Sequence, residues 1–258
     1  MKGRVAARWR RARGRCARAG GLLAAFALVG LTAACSREPS EKELRTHATS
    51  RGAESRRAVE EQKMRALIKH LSAVEGLEHV LTRFTDSCSR PYNGSIFEGN
   101  RSPYLLTCTM RAVAYFGVRE EITDVLPRIR AAGIATWGPQ GSEGRALSHA
   151  AGTVTYALAY HRDRGRYPDG LLMPAPALEA QGLRIDWDRP DMPLPHRVEE
   201  PAPCPEAGSG GIYQRCSTTP EAPISIRAAR ARYGIVLSFS LGGWDSSGHD
   251  YFTVPRRK

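Results

Sequence analysis

The middle of the chain contains serine, histidine and aspartate, the residue types that form the active site of many hydrolases. Ser148, His149, His161 and Asp163 could supply a nucleophile, a base and a group that orients the base. Gly141-Ser142-Glu143-Gly144 lacks the glycine two residues before the serine that a nucleophile elbow requires. Any chain of this length offers such combinations, so we interpret these residues as loop and surface positions and predict no catalytic residue.

Three aspartates could in principle bind a cation. Asp186, Asp188 and Asp191 lie close together, but Pro190 is among them, and the sharp-turn glycine and closing glutamate of a calcium loop are missing. His161 with one nearby carboxylate is too small a set for zinc. We therefore expect no metal site and no cofactor.

Cys35 follows a short apolar run that an arginine-rich segment introduces. Residues 1–20 carry basic side chains and no acidic ones, which is typical of the cytoplasmic end of a signal peptide. The apolar run 21–34 would form about 21 Å of helix, which is short against a hydrocarbon core about 30 Å thick. The stretch Leu31-Thr32-Ala33-Ala34-Cys35 resembles the lipobox of bacterial lipoproteins.

The resemblance implies cleavage just before Cys35 and a diacylglycerol on its sulfur. Two acyl chains hold a protein stably on a membrane, so we expect it on the outer face of the cytoplasmic membrane. Thr32 stands where this family usually has leucine. The alternatives are a secretory signal cleaved near Ala34 and an uncleaved anchor, and Arg10-Arg11 leaves twin-arginine export open. The whole sequence is similar in style to small secreted lipoproteins of actinomycetes, which implies a location and no activity.

The positive charge of the chain is concentrated in this leader. The formal net charge of the 258 residues is +12, but the first 34 residues hold eight of the 38 basic residues and none of the 26 acidic ones. The remainder therefore has a net charge of only +4. It contains no basic stripe interleaved with aromatic residues, so we expect no nucleic-acid partner.

Four cysteines remain after Cys35: Cys88, Cys108, Cys204 and Cys216. Four cysteines allow three pairings. Pairing of sequence neighbours closes loops of about 20 and about 12 residues, and we predict these two disulfides, Cys88–Cys108 and Cys204–Cys216. A zinc site is the alternative, but the spacings are wider than those of zinc ribbons and an exported protein meets oxidising conditions.

Residues 1–34 are thus predicted to be a signal peptide, 35–55 a lipidated cysteine with a flexible tether, and 56–258 one extracytoplasmic domain. The tether is inferred because residues 36–55 have few apolar side chains. Hydrophobic periodicity in the domain predicts the following elements: a helix over 56–74, a strand over 77–85, a strand over 104–118, a helix over 121–132, a short strand over 134–137, a strand over 153–161, and strands over 235–241 and 251–254. Residues 77–85 also fit a helix, but as a strand they would form a hairpin with 104–118 in which Cys88 faces Cys108. The strand over 251–254 is expected to pair back on the strand over 235–241.

Two proline features qualify these predictions. Pro127 requires that the helix over 121–132 either starts late, with Thr123 as its cap, or is kinked. The stretch 168–223 holds 11 of the 17 prolines. We expect it to be a surface wrap with short regular pieces near Leu178 and at 183–187, and a tight turn at 167–170.

These patterns predict an α+β fold, with a mostly antiparallel sheet and one or two helices on one face. With no convergent catalytic set, the leading hypothesis is a non-enzymatic, lipid-anchored module that binds an envelope protein or the cell wall. An extracytoplasmic hydrolase is the alternative, and it requires His149 or His161 within hydrogen-bond reach of Ser142, Ser148 or an aspartate.

Overall fold

A central antiparallel sheet organises the chain. The computed structural model describes residues 38–91, 102–134, 154–176, 178–180, 183–206, 211–242 and 249–256. The helices are α1 (Glu41–Ala48), α2 (Arg51–Ser72), α3 (Ile122–Ala131), α4 (Val154–Arg162) and α5 (Ile226–Tyr233). The strands are β1 (Leu77–Ser89), β2 (Tyr104–Val118), β3 (Leu178–Ala180), β4 (Leu183–Asp188), β5 (Tyr213–Thr219), β6 (Ile235–Leu241) and β7 (His249–Pro255). The strand order is β3-β4-β6-β2-β1-β5, with β7 also paired to β2, so the predicted α+β class is confirmed.

The segment interpreted as a flexible tether is largely helical. The Ser40 hydroxyl accepts from the Glu43 N–H, and the Glu43 carboxylate accepts from the Ser40 N–H, which is a capping box at the start of α1. At the start of α2, the Ser50 hydroxyl accepts from the Ala53 N–H. Leu44 is fully buried in the main core. The tether prediction is therefore wrong for residues 40–55, because two capped helix starts and a buried leucine outweigh their polar composition.

The helix predicted over 56–74 is confirmed as α2, which begins earlier. Its buried residues are spaced at three, four or seven positions and so form one stripe along the helix: Ala53, Arg57, Met64, Ile68 and Leu71. Gly76, with φ of +88°, then turns the chain into β1. A Cβ atom at this glycine would lie 2.8 Å from Val125 Cγ2, so the turn also leaves no room for a side chain at this position.

Strands β1 and β2 form the long hairpin that the sequence predicts. Cys88 lies directly opposite Cys108, and a disulfide joins them, as expected. A bulge between His79 and Leu81 shifts the register once, so the residues of β1 after the bulge keep one consistent face. The register of the pairing decides which side chains lie on each face of the sheet. The Cys88–Cys108 disulfide links the two strands covalently in this register.

The second edge of β2 pairs with two strands in succession. β6 pairs with residues 112–118 of β2, and β7 pairs with residues 104–110. Both strands were predicted, but the expectation that β7 pairs back on β6 is wrong. The length of β2 explains this, because its 15 residues leave enough edge for two shorter strands end to end.

The remaining helices differ in part from expectation. α3 is confirmed, but it begins at Ile122 with Glu121 as its cap residue, so Pro127 lies inside the helix and Thr123 is not the cap. The strand predicted over 153–161 is wrong, because these residues form α4. The strand predicted over 134–137 lies outside the described residues except for its first position.

The buried residues of α4 explain the error in that segment. Ala157, Tyr160 and His161 lie three and four positions apart and are all buried. Besides the alternation at 154, 156, 158 and 160, the segment therefore contains a set at i, i+3 and i+4 spacing, and burial of that set selects the helix over the strand.

The proline-rich stretch contributes three strands. β3 and β4 are the short regular pieces expected there, whereas β5 at the sheet edge was not predicted. None of the prolines of this stretch lies within a strand, which agrees with their missing N–H. The tight turn at 167–170 is confirmed, since the Gly170 N–H donates to the Tyr167 carbonyl.

The sheet has a different partner on each face. The larger apolar core includes side chains of α1, α2, α3 and α4 and the even-numbered residues of β2 from Leu106 to Val118. α5 packs on the other face, where Ile226 and Ala229 contact a smaller cluster with Tyr115 and Val236. The helices are therefore more numerous than predicted and occupy both faces.

Burial of Leu44 predicts that α1 contributes to stability. Leu44→Ala should lower the free energy of unfolding by about 2–4 kcal/mol, because it removes a fully buried side chain from the main core. Lys42→Ala, on the exposed side of α1, is the matched control and should change stability little. Urea denaturation of both variants measures the difference, and equal effects would mean that α1 does not dock on the sheet.

Candidate functional site

The described structure has a groove on the face of the sheet opposite α1 and α2. We call it the arginine groove: its floor is formed by Arg83, Arg111, Tyr115, Ser238 and Ser240, and its cover by the segment His196–Pro205. Its volume is about 650 Å³. This size is in the range of small-molecule binding sites in proteins.

Strand alternation places the floor residues together. Arg83 pairs with Val113, and Arg111 pairs with Thr85, so the two arginines are diagonal neighbours on adjacent strands. Ser240 is opposite Val113 on the next strand, on the same face. Residues that alternate with the buried core positions of the same strands therefore line the groove.

The two guanidinium groups have few acceptors. Arg83 Nη1 is 2.9 Å from the Cys204 sulfur and 3.4 Å from the Cys216 sulfur. Arg111 Nη2 is 3.5 Å from the Ser240 hydroxyl. Nε of each arginine is buried and has no hydrogen-bond partner. Sulfur is a weak acceptor and the serine contact is long, so most of the donors on the floor of the groove remain available.

The cover is anchored at both ends. The Asp188 carboxylate accepts from the Val198 N–H at 2.5 Å and from two nitrogens of Arg230 on α5 at 2.9 and 2.6 Å. The predicted Cys204–Cys216 disulfide is present and ties the other end to β5. Asp188, one of the three aspartates considered for a cation, therefore holds the cover in place instead.

Charges of both signs surround the groove. Burial raises the pKa of Tyr115 to about 12; nearby Arg111 and Arg83 oppose this rise, while Glu200 and Glu199 of the cover add to it. The phenol therefore stays protonated at neutral pH and can donate a hydrogen bond. Arginines on the floor and glutamates on the cover make the groove polar on two sides.

His161, the candidate base, is enclosed beside Trp187. It is 5 % exposed, and its Nε2 has no hydrogen-bond partner. Burial lowers the pKa of His161 to about 4, with Arg189 adding to the shift and Asp191 opposing it. Asp163 forms a surface ion pair with Arg162. His161 is therefore a buried neutral residue of α4, and Ser142, Ser148 and His149 lie outside the described residues.

A second charged cluster is buried between α2 and the sheet. Arg57 Nε donates to Asp86 Oδ2 at 2.7 Å, and Arg57 Nη2 donates to the Ala48 carbonyl at 3.0 Å. The Tyr251 hydroxyl donates to Asp86 Oδ1 at 2.7 Å and lies 3.1 Å from Arg57 Nε. These groups satisfy one another, so we assign the cluster a structural role.

Sequence reasoning did not identify Arg83 and Arg111 as site residues. The signal was present, because Arg111 belongs to the non-core face of a correctly predicted strand. The predicted fold places helices on one face only, and nothing in the sequence indicates that the segment His196–Pro205 folds over the other face.

The comparisons with known proteins add no candidate function. No family model matches the chain, and no curated protein or solved structure shows significant similarity to it. Among the described residues, no three His, Cys, Asp or Glu side chains are grouped as metal ligands. None of the helices in the described ranges combines the length and apolar character that a membrane span requires.

Burial of His161 predicts a pH-dependent stability. Between pH 6.5 and about 4 the unfolded chain binds a proton at this residue that the folded protein does not, so stability falls as the pH falls. From pH 7 to pH 4.5 the protein should lose about 2 kcal/mol more than the His161→Phe variant, as measured by urea denaturation. His47→Gln, at an exposed position, is the control. Parallel profiles for the protein and His161→Phe would contradict this assignment.

Proposed function

We propose that this protein is a lipid-anchored, non-enzymatic binding module of the cell envelope, and that the arginine groove is its binding surface. The observation that carries the proposal is the pair of arginines on the groove floor. Each has a buried Nε without an acceptor, in a concavity large enough for a ligand. Polar groups that lack a partner within the protein are the kind that fix the orientation of a molecule bound in such a site.

The proposed location rests on the leader sequence and the cysteines. Leu31-Thr32-Ala33-Ala34-Cys35 has the pattern of a lipidation site after an arginine-rich, apolar leader. Both disulfides in the domain suit an oxidising compartment outside the cytoplasm. The protein would then face the space outside the cytoplasmic membrane, where its partner is an envelope protein or the cell wall.

The short link to the anchor limits where the partner can lie. Helix α1 begins at Glu41, six residues after Cys35. Even a fully extended link of this length reaches no more than about 20 Å, at about 3.5 Å per residue. The partner should therefore be close to the membrane surface.

Lipidation predicts a defined mass for the membrane-bound protein. The protein extracted with detergent should have the mass of a chain that starts at Cys35 and carries a diacylglycerol. Cys35→Ala should block this processing and leave the leader attached. Intact-mass spectrometry distinguishes the two, and a mass equal to an unmodified chain would rule out the lipid anchor.

Groove binding predicts position-dependent capture of the partner in intact cells. A photo-reactive amino acid in place of Thr85, an exposed residue in the groove, should cross-link an envelope component. The same amino acid in place of Thr46, an exposed residue of α1, is the matched control and should not.

Mass spectrometry of the cross-linked species identifies the component, and capture should be lost in the Cys35→Ala background because the domain is no longer held at the membrane. Equal capture from both positions, or none from Thr85, would contradict the groove as the binding surface.

A further inference from the structure

We propose that the arginine groove binds the carboxyl terminus of a peptide, with Arg83 and Arg111 holding its carboxylate. This inference rests on the function proposed above and names the chemical class of its ligand. The guanidinium fork matches a carboxylate because two parallel N–H donors meet its two oxygens.

The unpaired donors on the floor of the groove suit an anionic acceptor. Each guanidinium has five N–H donors. In the described structure neither arginine forms an ion pair, and their acceptors are two disulfide sulfurs and the Ser240 hydroxyl. Ser238 and Ser240 are 7 % and 8 % exposed, so they add nearly buried hydroxyls at the same place. A carboxylate supplies several lone pairs at once to this set of donors.

The placement of the two arginines suits a single small anion. Diagonal neighbours on adjacent strands have Cα atoms about 7–8 Å apart, a separation that two arginine side chains can bridge to contact one group. Arg111 lies on the central strand β2 and Arg83 on β1, so paired backbone fixes both. Because the sheet holds the backbone of both arginines, the site is preorganised before the ligand binds.

The charge of the surrounding residues favours a carboxylate over a phosphate. Asp186, Glu199 and Glu200 also line the groove, together with Arg197, whose guanidinium already donates to the Met192 and Pro190 carbonyls. A phosphate with nearly two negative charges would face these carboxylates, whereas a carboxylate carries one charge and is repelled less. Glu199, and the second oxygen of Glu200, whose Oε1 accepts from the Arg227 N–H, can accept hydrogen bonds from backbone N–H groups of a peptide.

The apolar part of the lining favours a peptide over an acidic sugar. Ala175, Pro176, Pro201 and Pro203 lie along the groove. These surfaces have no polar side-chain atoms for the hydroxyls of a sugar, but they can pack against small alkyl side chains. The groove therefore combines an anion site, acceptors for N–H groups and apolar walls.

The experiment uses the membrane-extracted protein in detergent, labelled with ¹⁵N-arginine, and follows the Nε–H signals of Arg83 and Arg111 by NMR. The probe is N-acetyl-Ala-Ala, and its C-terminal amide is the matched control ligand. The acid should shift both signals, and the amide should not. At about 10 mM peptide a site with a Kd of about 1 mM is about nine-tenths filled, so weak binding is still visible.

Three variants test the roles of the side chains. Arg83→Lys and Arg111→Lys keep the charge but lose the fork, and each should weaken binding of the acid about tenfold. Arg227→Lys, on an exposed position of α5 outside the groove, is the matched control and should leave binding unchanged. Ser240→Ala should also weaken binding and removes no charge, so it tests the site if an arginine variant fails to fold.

Several results would overturn the inference: no shift of either signal, equal shifts with the acid and the amide, or tighter binding of inorganic phosphate or glucuronate than of the peptide acid. Its failure can be separated from failure of the proposed function. Capture of a partner from Thr85 without any carboxylate effect would remove only the ligand class. Carboxylate binding without capture from Thr85 would contradict the proposed envelope partner but would still support the carboxylate site.

Discussion

The two-residue periodicity of β2 is the constraint on which the rest of the structure depends. Its even-numbered residues, from Leu106 to Val118, enter the main core with the helices. Its odd-numbered residues Arg111, Val113 and Tyr115 line the arginine groove. A shift of one residue would exchange the two sets and put a charged side chain into the core. Pairing with β1 along its whole length, including the disulfide pair Cys88–Cys108, fixes the register that separates the core residues of β2 from those that line the groove.

Helices close the core face, and their docking includes a buried ion pair. Arg57 and Asp86 contact each other and Tyr251, which links α2, β1 and β7. An ion pair in this position adds little net stability, because both groups lose their water, but removal of either group leaves the other buried without a partner. The cluster therefore acts mainly to specify one arrangement of helix and sheet. The capped helix α1 completes this face directly after the proposed anchor.

The groove exists because a strand-poor segment folds over the second face. Asp188 accepts hydrogen bonds from the Val198 N–H and from Arg230, and a disulfide closes the far end at Cys204, so the cover is held without an α-helix or a strand of its own. Prolines suit this role, since they stiffen the segment and need no hydrogen-bond acceptor for an N–H. The cover is thus held at two points above the two arginines of the groove floor.

The sequence by itself determined the features that depend on local chemistry. Alternation over 104–118 predicted β2, helical spacing predicted most of α2, the prolines of 168–223 excluded strands from their own positions, and nearest-neighbour pairing predicted both disulfides. It failed where local patterns fit two structures, as in α4, and where polar residues form capped helices, as in α1. Tertiary structure alone decided that β7 pairs with β2, next to β6 on the same edge, and that His196–Pro205 covers Arg83 and Arg111. The reason is physical: strand partners and loop positions depend on contacts between residues far apart in the chain, and no local periodicity encodes them.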